Sequence, residues 1–167
     1  VTFPGTATAL TYNYEPNLPD LLTGIVDENG AATASWIYGD SRATVSERAG
    51  GAGKVTLEYL SGTNVRATTA ISAAPALNQV VTYQFQTIQG VQRLTSITGD
   101  ACPSCGPKTA SYDANGFPAS RIDWNDIKTC YAYNTRGLEE LREEGLPLAA
   151  DCASLPALTG VQRRIST

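Results

Sequence analysis

The stretch Thr109 to Glu143, TASYDANGFPASRIDWNDIKTCYAYNTRGLEELREE, holds one short pattern twice and thereby limits what the chain can fold into. A strand ends in an aromatic residue, a polar turn closes on glycine, and a second strand returns. Tyr112-Asp113-Ala114-Asn115-Gly116 leads into Phe117 to Asp123, and Tyr133-Asn134-Thr135-Arg136-Gly137 leads into Leu138 to Glu143. Asp or Asn at the turn entry can bind backbone amides two residues on, and glycine accepts the positive φ that a hairpin requires. Tyr112 and Tyr133 stand 21 residues apart, room for two short strands and two turns.

The rest of the chain repeats this unit in eroded form. The tyrosines Tyr14, Tyr38, Tyr59, Tyr83, Tyr112 and Tyr133 recur as anchors, and Gly30, Gly116 and Gly137 close turns. Returning strands read Leu22-x-x-Ile25-x-Asp27, Leu94-x-x-Ile97-x-Gly99 and Leu138-x-x-Leu141-x-Glu143, with Pro118-x-x-Arg121-x-Asp123 as a degenerate copy. Apolar residues three apart fall on opposite faces of a flat strand, so either both faces are buried or a bulge intervenes. Thr, Val, Tyr and turn residues are plentiful, and no sustained helical period occurs; Glu139 to Glu144 is the one helix-tempting run. The expectation is an all-β single domain over 1–167. Its hairpin units lie near 7–30, 31–53, 54–78, 79–107, 108–126 and 127–157, with 158–167 beginning another.

Tyr112-Asp113-Ala114-Asn115-Gly116 with Phe117 to Asp123 resembles the YD repeat of the RHS family. Leu94-Thr95-Ser96-Ile97-Thr98 and Thr129-Cys130-Tyr131-Ala132-Tyr133 are similar to that family too. The resemblance implies tandem β-hairpins stacked into a continuous twisted sheet, as in the shells of large bacterial secreted or cell-surface proteins. It also implies an extracellular or cell-surface location. The absence of Met implies an excised or processed piece. About six units are too few to close a shell, and no family-type self-cleavage core or toxin segment is found, so what carries over is architecture.

The chemistry-bearing residues are few. There is no His, which removes the commonest general base and metal ligand. A net charge of −4 offers no basic surface for nucleic acid, and no apolar run approaches the roughly 20 residues of a membrane span. Cys102-Pro103-Ser104-Cys105 has metal-knuckle or redox spacing, but Cys130 and Cys152 are isolated. Disulfides are the expected state, paired Cys102–Cys105 and Cys130–Cys152, because Cys152 sits in a loop returning past the strand of Cys130. Gly50-Gly51-Ala52-Gly53-Lys54 lacks the Ser or Thr of a phosphate loop. Asp123 and Asp126 bracket a turn, where carboxylates cap backbone. Trp124, within that turn, is the candidate for a surface contact; the other aromatics are expected in ladders between strands.

No catalytic, cofactor or metal residue is expected. The reading is a non-enzymatic extracellular scaffold forming part of a shell, stalk or self-assembling fibre. Its expected partners are neighbouring repeats or identical subunits, met through terminal strand edges. The alternative is a module that binds cell-surface glycan through exposed aromatics. Rings stacked between strands favour the scaffold, and three or more rings lining one groove favour the glycan binder.

Overall fold

The computed structural model describes residues 9–73, 76–154 and 163–166. These residues are all-β, with no α-helix among them. The expected unit at 7–30 is described from residue 9 on, and the start of a further unit expected at 158–167 is described only over 163–166. The helix-tempting run is strand, since Glu139 to Glu144 belongs to an extended segment. Among the described residues, no helix is long and apolar enough to cross a membrane.

The strands group into two compact units, Val1–Tyr59 with Val65–Val80, and Leu60–Asn64 with Val81–Thr167. The first unit carries β1 (Thr11–Glu15), β2 (Leu18–Val26), β3 (Ala32–Gly39), β4 (Arg42–Arg48), β5 (Val55–Tyr59) and β6 (Val65–Ala73). β7 (Ala76–Ile88) begins there and runs on in the second unit. That unit also holds β8 (Val91–Gly99), β9 (Thr109–Tyr112), β10 (Pro118–Ile122), β11 (Lys128–Tyr133), β12 (Glu139–Leu146) and β13 (Arg163–Ser166). Within each unit strand order follows chain order, and the paired neighbours are antiparallel.

One turn design recurs because one sequence recurs. The Asp27 carboxylate accepts from the backbone N–H groups of Asn29 and Ala31, at 2.9 and 2.8 Å. Asp113 does the same for Asn115 and Phe117, Asp123 for Asn125 and Ile127, and the Asn134 side chain for Arg136 and Leu138. In each turn the fourth residue donates its N–H to the carbonyl of the first. That residue is Gly30, Gly116 or Gly137, with φ of 81°, 84° and 77°. Asp126 holds the same seat at φ 61°, a conformation that Asp tolerates better than most residues with a Cβ. These are three-residue hairpin loops, a type I turn followed by a left-handed residue.

The three-residue apolar spacing is resolved by bulges. Tyr14 pairs with Leu22 and Asn13 with Gly24, so Thr23 is the extra residue. Thr95, Ala119 and Glu140 are extra in the same way, between Leu94 and Ser96, Pro118 and Ser120, and Glu139 and Leu141. A further bulge at Thr44, between Ala43 and Val45, was not legible in the spacing. An extra residue shifts the alternation by one, which returns Ile25, Ile97 and Leu141 to the face of the residue three before. Threonine suits the place: Thr44 and Thr95 donate their hydroxyls to Ile37 O and Gln84 O across the strand, at 3.2 and 3.1 Å.

Candidate functional site

Each of these five bulges faces an aromatic residue. Tyr14 lies opposite Leu22, Tyr38 opposite Ala43, Phe85 opposite Leu94, Tyr112 opposite Pro118 and Tyr133 opposite Glu139. In the β7–β8 hairpin that aromatic is Phe85, two residues beyond the expected Tyr83. Tyr83 pairs with Ile97, and its ring lies 6.5 Å from that of Phe85. Tyr59 pairs with Val65 in unbroken register and faces no bulge of its own.

The tyrosines then reach backwards along the chain. Tyr38 donates its hydroxyl to Leu22 O at 2.8 Å, Tyr59 to Ala43 O at 2.8 Å, and Tyr112 to Leu94 O at 2.9 Å. Each acceptor is the first residue of the preceding hairpin's bulge. The residue just before the acceptor covers the ring: the Arg42 guanidinium lies 5.1 Å from the centre of Tyr59, and that of Arg93 lies 5.8 Å from Tyr112. At the next step Phe117, just before Pro118, stacks on Tyr133 with centroids 5.1 Å apart. A guanidinium and an aromatic ring thus do the same job, each offering a flat face to the tyrosine. The tip of the Phe117 ring also abuts Gly137, where a Cβ would come within 2.4 Å of its Cζ. Burial, and then the nearby Glu139 carboxylate, raise the Tyr133 hydroxyl above its ordinary pKa.

The second feature is a stapled groove in the second unit. The β8–β9 connection is longer than the other turns, and Cys102 and Cys105 are bonded within it, Cα to Cα 5.3 Å. They bracket a single 3-10 turn, and Gly106 after it sits at φ 128°, ψ −168°, a region open essentially only to glycine. The insertion leans on the β10–β11 turn. Trp124 Nε1 donates to Gly106 O at 3.0 Å, and Lys108 pairs with Asp126 at 2.6 Å. Trp124 is therefore half-buried against the insertion, where the sequence suggested a freestanding ring. An open groove of about 450 Å³ runs between them, lined among others by Pro103, Pro107, Arg121, Trp124 and Tyr131. Two rings line it; the Arg121 guanidinium lies 5.7 Å from the centre of Tyr131, and Arg142 lies 5.8 Å from the same ring.

The second disulfide joins Cys130, fully buried on β11, to Cys152, 22 residues on. Lys128 adds a bond to Ala150 O at 2.5 Å on the same returning loop. Asp151 caps that loop through Ala153 N and the Ser154 hydroxyl, and those bonds hold its carboxyl below the usual range. Of the other carboxylates, Asp123 caps its turn and Glu139 pairs with Arg142 at 2.9 Å. Among the described residues, no group of three or more His, Cys, Asp or Glu is arranged to hold a metal ion.

The sequence signal pointed at the tyrosines but missed what they meet. Phe85, the covering residues Arg42, Arg93 and Phe117, and the bulge carbonyls carry no local signature. They become visible only when one hairpin is laid on the one before it. No family model matches the chain, and no curated protein matches it.

Proposed function

We propose that the chain is a non-enzymatic structural scaffold, a length of YD-repeat-like sheet belonging to an extracellular or cell-surface shell, stalk or fibre. One observation carries the reading: three tyrosine hydroxyls and the Phe117–Tyr133 stack are committed between consecutive hairpins. Tyr38, Tyr59 and Tyr112 each hold the carbonyl of the hairpin before. A hairpin whose polar and apolar groups are satisfied by its neighbours is a unit of a stack, as in other repeat architectures. Its partners are then further repeats or identical chains joined at the terminal strands. Two disulfides suit an oxidising compartment such as the cell exterior.

A second reading, a glycan-binding module, draws on the groove between Pro103, Trp124 and Tyr131. Amphipathic rings beside Arg121 and Asn125 are the kind of lining a sugar ring can stack on and hydrogen-bond. Electron microscopy and sedimentation of the oxidised chain, run beside a glycan array, decide between the two. Extended assemblies without glycan capture support the scaffold. A soluble monomer that captures glycan, and loses it on Trp124→Ala, replaces it.

A further inference from the structure

The β10–β11 turn departs from the other three Asx turns, and each departure builds the groove beside it. Where Gly30, Gly116 and Gly137 close their turns, Asp126 takes the left-handed seat at φ 61° and pairs with Lys108 of the β8–β9 insertion at 2.6 Å. Where the others carry Glu28, Ala114 and Thr135 in second place, this turn carries Trp124, whose Nε1 donates to Gly106 O. The insertion is itself closed by Cys102–Cys105. Both walls therefore stand in place before any ligand arrives, which spares a ligand the cost of ordering them.

The lining has one open ring and a set of unengaged polar groups. Arg121 lies opposite Thr129 across β10 and β11, and Tyr131, two residues along, faces the same side. The ring of Tyr131 already meets the guanidinium groups of Arg121 and Arg142 at 5.7 and 5.8 Å, so Trp124 is the ring left for a ligand. Asp123 spends one carboxylate oxygen on its turn. Among the described residues, no hydrogen bond or ion pair engages its Oδ2, the Arg121 guanidinium, the Asn125 side-chain amide or the Thr129 hydroxyl. Arg121 and Asp123 are the charged residues of the lining, one of each sign, so the groove favours neither an anion nor a cation. A flat apolar ring beside mixed donors and acceptors matches a pyranose, whose C–H face is apolar and whose hydroxyls both donate and accept.

We propose, resting on the glycan-binding reading, that this groove takes one unit of a neutral hexopyranose glycan. The C–H face of the sugar lies on Trp124, Asp123 Oδ2 accepts from one of its hydroxyls, and Asn125 and Arg121 donate to the neighbouring ones. None of these residues takes part in the tyrosine-to-carbonyl steps at Tyr38, Tyr59 and Tyr112, so the groove fills without disturbing the repeat.

Asp123 supplies the decisive variant, because Asn134 caps the equivalent turn with an Asn side chain. Asp123→Asn thus keeps the turn and exchanges the accepting Oδ2 for a donating amide. The oxidised full-length chain is titrated with cellobiose, maltose and lactose, and with cellobiouronic acid as an acidic counterpart, and binding is read at the Trp124 indole N–H resonance. At least one neutral disaccharide should bind, more tightly than the acid, and Asp123→Asn should weaken it about tenfold, for one lost hydrogen bond to a charged group. Trp124→Phe, which keeps a ring, should weaken it less than Trp124→Ala, with binding of these variants read by calorimetry. Preference for the acid, or tighter binding by Asp123→Asn, overturns the neutral class and leaves the glycan reading standing. Neutral-sugar binding untouched by either Asp123→Asn or Trp124→Ala puts the sugar elsewhere and overturns the site. A chain that binds none of the three disaccharides overturns the proposal. One that also captures nothing from a glycan array, or takes a proline-rich peptide instead, overturns the glycan reading with it.

Discussion

Among the described residues of the first unit, Ala67 is the one apolar side chain that is fully buried, whereas the second unit buries Val81, Ile97, Cys102, Cys130 and Leu146. Both units use the same Asx turns, the same bulges and the same tyrosine-to-carbonyl bonds. They part at the long links between hairpins. Ala49–Gly51 and the residues after it form a glycine-rich 3-10 link, with Gly50, Gly51 and Gly53 all at positive φ. The matching link of the second unit is stapled by Cys102–Cys105 and pinned to the β10–β11 turn by Trp124 and Lys108. The repeated contacts therefore specify register in both units, while covalent bonds and a denser core are confined to one.

Reducing both disulfides should separate the units most. The loop closed by Cys130 and Cys152 is worth on the order of 3 kcal/mol by chain entropy. Amide exchange should accelerate through β11 and β12 and stay unchanged in β3 and β4; equal acceleration in both would mean that the units melt as one.

Glycine substitutions sharpen the contrast at equivalent seats. Gly137→Ala brings a Cβ into the Phe117 ring at a positive φ, and should cost roughly 3 kcal/mol. Gly30→Ala, with nothing within 4 Å, carries only the conformational penalty, about 1 kcal/mol. Urea midpoints of the two variants give the comparison, and equal shifts would show that the Phe117 contact is not a constraint.

Removing single hydroxyls tests whether the shared steps are worth the same in both units. Tyr38→Phe, Tyr59→Phe and Tyr112→Phe should each cost about 1 kcal/mol, while Tyr14→Phe in the monomer costs almost nothing. A markedly larger loss at Tyr112 would mean that the denser core amplifies its step.

The smallest effect is in alkali. The folded pKa of Tyr133 is raised above its ordinary value of 10.0 by burial first and Glu139 second, so folding favours the neutral phenol. The associated stability is fully present below about pH 10 and is lost as pH rises through the folded pKa. Tyr133→Phe should flatten that loss in a pH series of thermal melts.

Much of this was legible in the sequence because the turns are local. Asp27 with Gly30, Asp113 with Gly116 and Asn134 with Gly137 announce themselves within five residues. The three-residue spacing of Leu94 and Ile97 left a choice between two buried faces and a bulge, which only the strand opposite could decide. Asp126 is legible as a turn residue, but its left-handed seat is not, because glycine marks that seat elsewhere. Phe85 was passed over for Tyr83 because alternation alone cannot say which ring faces the extra residue. The bond from Trp124, the candidate surface contact, was not legible because its acceptor, Gly106 O, lies 18 residues away in an insertion with no repeat to align it.

The direction of the tyrosine bonds bears on how the chain can be built. In all three the acceptor precedes the donor in sequence, Leu22 before Tyr38, Ala43 before Tyr59 and Leu94 before Tyr112, by 16, 16 and 18 residues. During synthesis from the N-terminus, each hairpin thus emerges to find its docking carbonyl already in place, and none waits on a distant later segment. Short separations keep the entropy of closure low and the search local. Within each unit the sheet can be laid down in the order in which it is translated.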